Sequence, residues 1–168
     1  QGHQVTVLDN LSRAGSTANL EFLRRRYGDG SFRFLRAGVE QLAPLLEAAD
    51  GMERIYHLAS QVAVTASVVD PLRDFADNAL GTIHVLEAAR RAGNDPVLVY
   101  SSTNKVYGSM ESVGFVEEST RYRYWDLPSG IPETQPADFH SPYGCSKGCG
   151  DQYTRDYYRI YCLRTVVF

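Results

Sequence analysis

Short runs rich in β-branched and aromatic residues alternate along this chain with longer runs of helical periodicity, and that alternation restricts the fold more than any other property of the sequence. Gln4-Val-Thr-Val-Leu-Asp9, Phe32 to Leu35, Arg54-Ile-Tyr-His-Leu58, Pro96-Val-Leu-Val-Tyr100 and Arg164-Thr-Val-Val-Phe168 read as strands. Between them, Thr17 to Tyr27 predicts a helix closed by Gly28, and Val39 to Ala49 one that ends at Gly51. Asp70-Pro71, an N-cap and first-turn pair, opens a long amphipathic helix that directs Phe75, Ala79, Ile83, Leu86 and Ala89 inward and stops at Gly93. Ser141-Pro142 opens another, which reaches about Tyr161. Strands separated by helices form βαβ units, so the expected fold class is α/β with a doubly wound parallel sheet.

The stretch from Gly108 to Phe139 breaks the rhythm. It holds Pro128, Gly130, Pro132, Pro136, Trp125 and several other aromatics without clear periodicity. A loop of that length is uncommon in a compact domain and often functional, and it leaves the carboxyl end of a strand, where open α/β sheets bind ligands. Both ends read as cut. The chain opens on a strand ending in Asp9, without the preceding strand and glycine turn that would cradle a pyrophosphate, and it closes within a strand. The expectation is a partial, Rossmann-like dinucleotide-binding domain over residues 1–168, truncated at its N- and C-termini.

Composition narrows the class. At 43% hydrophobic and 22% charged residues the chain is an ordinary globular one, and no apolar run approaches the ~20 residues that span a bilayer. Neither a membrane nor, at net charge -3 without a basic stripe, a nucleic acid is expected as a partner. Three cysteines make no disulfide framework, which fits a reducing, cytoplasmic compartment. Cys145 and Cys149 lie one turn apart but lack a further pair at ligand spacing, so they read as helix-packing residues and no metal is expected.

Tyr143-Gly-Cys-Ser-Lys147 sets a phenol and an ammonium at i and i+4, on one helix face just inside the Ser-Pro start. A free tyrosine titrates near pH ~10, and a fixed neighbouring cation favours the phenolate that base catalysis needs. Such a pair recurs by chance, but here Ser101, Ser102 and Thr103 follow the strand ending at Tyr100. A hydroxyl there can bond a substrate oxygen and share its proton with the phenol. The combination points to hydride chemistry on an alcohol, with Lys147 at the nicotinamide ribose. Asp9, at the end of the first strand, stands where a dinucleotide fold places the carboxylate that accepts the adenosine ribose; an acid there favours NAD over NADP, although Arg13 nearby runs against this. His57-Leu-Ala-Ser-Gln61 offers small residues that admit a cofactor to the backbone, with His57 itself reading as structural.

Leu8-Asp-Asn-Leu11, His57-Leu-Ala59, Asn78 with Gly81-Thr82, Ser102-Thr-Asn-Lys-Val-Tyr-Gly108 and Tyr143 to Lys147 together resemble the extended short-chain dehydrogenase/reductase family of nucleotide-sugar epimerases and dehydratases, over nearly the whole chain. The resemblance implies NAD as cofactor. Asp9 and Asn10 would contact its adenosine, Leu58, Ala59, Ser60 and Gln61 would line it, Asn78 would lie close to it, and Ser101, Tyr143 and Lys147 would meet it at the catalytic end. Thr103, Tyr143 and Lys147 would form the catalytic triad. Dehydratases of this kind resemble Thr-Asp-Glu at the triad threonine; Asn104 and Lys105 stand here instead, so elimination lacks its acid and base.

Within the family, the stretches Ser102 to Gly108, Glu118 to Tyr124 and Asp138 to Gly148 are together most similar to epimerases that act at C2 of a CDP-linked dideoxyhexose. The mechanism this resemblance implies is transient oxidation: Tyr143 takes the sugar hydroxyl proton, hydride passes to NAD+ and returns to the other face, and no net NADH accumulates. A CDP-sugar is the favoured substrate and a homo-oligomer the expected state of the complete protein. Most of a C-terminal substrate domain would lie beyond these residues, which alone are expected to be inactive. The alternatives are a UDP-glucose 4-epimerase-like enzyme with the same triad and a non-catalytic NAD-binding homologue. Two departures stand out. Ala37-Gly38 replaces the Gly-Asp with which many relatives contact adenine, leaving the backbone of Gly38 and Val39 to serve. Cys149-Gly150 replaces a small Ala pair, and Gly150 is expected to cost the helix roughly 0.5–1 kcal/mol relative to Ala.

Overall fold

In the computed structural model, which describes residues 2–168, the elements follow in the order β1 (Thr6–Leu8), α1 (Ser16–Tyr27), β2 (Arg33–Leu35), α2 (Leu42–Ala49), β3 (Arg54–His57), α3 (Val64–Val69), α4 (Pro71–Phe75), a π turn (Ala76–Leu80) and α5 (Gly81–Arg91). Then come β4 (Val97–Tyr100), a 3-10 turn (Asn104–Tyr107), β5 (Phe115–Glu117), β6 (Tyr122–Tyr124), α6 (Ser141–Tyr161) and β7 (Thr165–Val167). The βαβ rhythm yields parallel pairing, β1 with β2, and β3 with β4 with β7. The parallel strands nevertheless form two separate pieces, because no described residue pairs β1 to β3.

Register brings His57 beside Tyr100 and Tyr100 beside Val167, so three strand ends meet at one edge. Behind them Leu45, Ala49, Val85, Leu86, Ala89, Leu98, Tyr157 and Leu163 form the core, uniting α2, α5, β4 and α6. Each such side chain removes apolar surface worth about 25 cal/mol per Å².

Phe75, expected inward, is 55% exposed, while its neighbour Asp74 is 1% exposed. The π turn is the cause. Gly81 donates its N–H to the Ala76 carbonyl, an i to i+5 bond that adds one residue to the turn. Asp74, rather than Phe75, therefore falls on the buried side, where it accepts a hydrogen bond from Asn78. Helix α3 has no counterpart in the sequence reading; six residues rich in valine carry no helical period. The aperiodic stretch after Gly108 holds an antiparallel hairpin in which Phe115 pairs with Tyr124 and Glu117 with Tyr122. Its strands are too short to show alternation.

Gly150 also differs from expectation. A β-carbon there would lie 2.6 Å from the buried Tyr100 hydroxyl and 3.1 Å from Thr82 Oγ1. The glycine is a clearance for Tyr100, not a helix defect. Gly150→Ala is expected to lower stability by about 1–3 kcal/mol, the range for overpacking, in place of the gain that propensity alone would give; a thermal melt showing stabilisation would disprove the clearance role.

Candidate active site

Strand β4 delivers the site. Its buried Tyr100 donates its hydroxyl to the Lys147 carbonyl at 3.1 Å, and its ring lies under the Lys147 ammonium, 4.3 Å from Nζ to the centroid. One residue on, the Ser101 carbonyl accepts a hydrogen bond from that ammonium at 2.5 Å. Lys147 is 4% exposed, and burial lowers its pKa to about 8 against the pull of Asp151 and Asp74, which favour the charge. His57 closes the stack, its ring 5.4 Å from that of Tyr100. Thr82 gives its hydroxyl proton to the Asn78 carbonyl at 2.6 Å, so the 2.9 Å contact with His57 Nε2 carries an imidazole N–H. Burial, then the Lys147 charge, push the His57 pKa down to about 3. A neutral ring held this way is structural, as its sequence context suggested.

Helix α6 starts where Ser141 enters at φ 71 and its hydroxyl caps the Gly144 N–H at 3.2 Å, with Pro142 in the first turn. Tyr143 is 8% exposed; its backbone N–H is held by Ser67 Oγ at 3.1 Å. Its hydroxyl makes no hydrogen bond among the described residues. Tyr143 and Lys147 thus share one buried face, as the i,i+4 spacing predicts. Thr103 stands at the same strand end, but its hydroxyl caps the 3-10 turn by accepting the Lys105 N–H at 3.3 Å and is not bonded to Tyr143. Ser102 turns to α6 instead, donating to Asp151 at 2.9 Å.

A polar cluster that the sequence did not announce lies beneath this face. Asp74 Oδ2 accepts the Ser146 hydroxyl at 2.5 Å, and its Oδ1 accepts Gln61 Nε2 at 3.0 Å and Asn78 Nδ2 at 3.1 Å. Asn78 Oδ1 accepts the Gln61 N–H at 2.8 Å and the Ser60 hydroxyl at 2.9 Å. Asn78, expected close to a cofactor, is 1% exposed with its side chain bonded to protein on all sides; it shapes the Ser60-Gln61 segment rather than offering a free group. The π turn hides Asp74 from a periodicity argument, and a serine at 146 carries no signal in the Tyr143 to Lys147 spacing.

A cavity of about 200 Å³ opens beyond the ends of β1, β2 and β3. Asp9, Asn10, Ala37, Gly38, Leu58, Ala59 and Ser60 line it. Asp9 and Asn10 each accept the N–H two residues on, Leu11 at 2.6 Å and Ser12 at 2.9 Å, which turns the chain and leaves the Asp9 carboxylate exposed at the rim. Leu58 is 62% exposed. At Gly38 an added β-carbon would overlap the Glu40 carboxylate, whose Oε2 is buried without a partner. The segment that lacks an acid at 38 therefore regains one from two residues on. Small walls, an acidic rim and an unpaired acceptor fit the adenosine half of a dinucleotide, and no metal-ligating cluster exists among the described residues.

The sequence profile of the GDP-mannose 4,6 dehydratase family matches residues 1–168. The chain is 44% identical to CDP-paratose 2-epimerase of Salmonella typhi, over 100% of its own length and 49% of the relative. It is 34% identical to UDP-glucose 4-epimerase of Mycolicibacterium smegmatis, covering 96% of the chain and 46% of the relative. It thus spans about half the length of these relatives. Among solved structures, a double mutant of the dTDP-glucose 4,6-dehydratase of Streptomyces venezuelae with NAD bound superposes at TM-score 0.79 and 30% identity, over 98% of this chain and 45% of that one.

Proposed function

The chain belongs to the GDP-mannose 4,6 dehydratase family of NAD-dependent nucleotide-sugar epimerases and dehydratases, and we propose that the complete protein is a CDP-paratose 2-epimerase. The observation that carries this is the Tyr143-Lys147 face: a buried ammonium clamped between Tyr100 and the Ser101 carbonyl, beside a phenol whose hydroxyl is free of the protein. Epimerisation is favoured over dehydration because Asn104 and Lys105 follow Thr103 where elimination needs an acid pair, and over other sugars by the similarity to the Salmonella typhi enzyme.

NAD would lie across the strand ends, with Asp9 and Asn10 at its adenosine ribose, Leu58 to Gln61 beneath it, and Ser101, Tyr143 and Lys147 at its nicotinamide end. Bound there, NAD+ supplies the two-electron acceptor and donor for a sugar carbon. Tyr143 as phenolate takes the hydroxyl proton from that carbon and returns it after the ketone has presented its other face. Lys147 keeps the positive charge beside the phenol and binds ribose hydroxyls. Thr103 donates its hydroxyl proton to the substrate oxygen while the same oxygen goes on accepting the Lys105 N–H.

A strand before residue 1, carrying a glycine turn, would complete the sheet between β1 and β3, and a substrate domain would follow residue 168. The working state is a cytoplasmic homo-oligomer, in keeping with three free cysteines and the exposed aromatic residues Tyr153, Tyr158 and Tyr161 on α6. The test is turnover by the complete protein of CDP-paratose and of UDP-glucose, followed by NMR of the sugar ring with absorbance at the NADH band. Interconversion at C2 without net NADH is expected. Turnover of UDP-glucose alone would replace the assignment with a 4-epimerase.

A further inference from the structure

Asp74 lies on α4, far from the strand ends in sequence, yet it touches the middle of the turn between Tyr143 and Lys147. Gln61 Oε1 accepts the Ala63 N–H, so the amide nitrogen of Gln61 faces Asp74. Asn78 Oδ1 accepts from Ser60 and Gln61, so its nitrogen also faces Asp74. That nitrogen further donates to Ser146 Oγ at 3.2 Å, and the Ser146 hydroxyl faces Asp74 Oδ2 at 2.5 Å, closer than its other acceptor, the Tyr143 carbonyl at 3.2 Å. Three donors converge on one carboxyl group, an arrangement that suits an ionised, acceptor-only carboxylate.

The pKa of Asp74 is raised overall, with burial the largest cause; the Ser146 hydroxyl and the Gln61 amide draw it part of the way back, Asp77 raises it and Lys147 lowers it. The charged and titratable groups around Lys147 are Asp74 from α4, Asp151 and Tyr143 on its own helix, His57 from β3 and Tyr100 from β4. His57 is neutral and Ser102 is hydrogen-bonded to Asp151. Asp74 is thus the buried anion that reaches the Lys147 turn from outside its helix.

We propose that Asp74 is a positioning residue for the epimerase reaction: through Ser146 it pins the turn that carries Tyr143 and Lys147, and its charge keeps the buried Lys147 ammonium protonated. The proposal rests on the function assigned above. No substrate touches Asp74, which is 1% exposed; it acts through the residues between the catalytic pair.

The experiment compares the complete wild-type protein with Asp74→Asn and Ser146→Ala. Asp74→Asn keeps the shape and removes the charge; Ser146→Ala removes the strut and keeps the charge. Lys147 titration is read directly, from the Cε signal of 13C-lysine assigned with Lys147→Met, and in the pH profile of kcat. Within these 168 residues Lys105 is the one other lysine, which simplifies assignment.

In Asp74→Asn the Lys147 midpoint is expected to move to lower pH by about 0.5–1 unit, and the alkaline limb of kcat to move with it. In Ser146→Ala kcat should fall about tenfold with the midpoint within about 0.2 unit of wild type. An unmoved midpoint in a folded Asp74→Asn overturns the counter-charge role, and unchanged kcat in Ser146→Ala overturns the strut. If Asp74→Asn does not fold, Asp74→Glu takes its place, and loss of kcat with a retained midpoint is the supporting result; retained kcat overturns the positioning role. Because the NMR titration needs no turnover, a wild-type protein that epimerises no sugar nucleotide refutes the assigned function while the midpoint shift still decides the electrostatic coupling.

Discussion

Replacing Tyr143 by Phe in the complete protein should lower kcat for epimerisation by about 10²–10⁴-fold, the usual contribution of a positioned general base, and leave folding intact. The hydroxyl has no hydrogen-bond partner among the described residues, so its removal orphans nothing. The residue is held by its backbone N–H on Ser67 and by burial, both of which phenylalanine keeps. NAD affinity should change by less than about tenfold, the worth of at most one hydrogen bond. Steady-state kinetics beside a dinucleotide titration separates these effects. Undiminished kcat would remove Tyr143 from the chemistry altogether.

Lys147→Met should do two opposite things. Activity should fall by at least about 10²-fold, because the charge beside the phenol and the ribose contact both go. Stability near pH 7 should rise. The folded pKa of about 8 lies below the ordinary lysine value of 10.5, so between those values the unfolded chain binds more protons than the folded one, and wild-type stability climbs with pH. Below pH 8 the folded protein carries the full penalty of a buried ammonium. Methionine carries none of it, though it forfeits the bond to the Ser101 carbonyl, and the net gain near pH 7 is expected to be about 1–2 kcal/mol. That advantage should fade as pH rises from 8 to about 10.5. Denaturant melts at pH 7 and pH 10 test the sign, and a methionine variant less stable at pH 7 would show that hydrogen bonding, not desolvation, governs the site.

That Tyr143 and Lys147 share one buried face was legible in the sequence because it depends on local spacing. Four residues return a helix to the same side, so Tyr143 and Lys147 had to lie together once Ser141-Pro142 started the helix. Strand ends were legible for a similar reason, since a buried run such as Val97 to Tyr100 must exit at one edge and carries Ser101 to Thr103 there. What stayed hidden depends on tertiary detail. One extra residue in the π turn exchanged Phe75 for Asp74 on the buried side, and no periodicity argument anticipates an i to i+5 bond. The Glu40 carboxylate over Gly38 is a side-chain excursion that a substitution pattern at 38 alone reads as a loss. Thr103 showed its position in the sequence, but not that its hydroxyl would cap the following turn.

Tyr100 has a consequence for how substitutions in this region combine. Its ring supports both His57 and Lys147, its hydroxyl holds the Lys147 carbonyl, and Gly150 leaves it room. Positions on three elements, β3, β4 and α6, therefore share one buried side chain. Changes at any two of them act on the same contacts, so their effects will not add, and the second change costs less than it would alone once the first has displaced the ring. The range of side chains tolerated at 150 is set by the residue at 100, and evolutionary replacement at either position is conditional on the other.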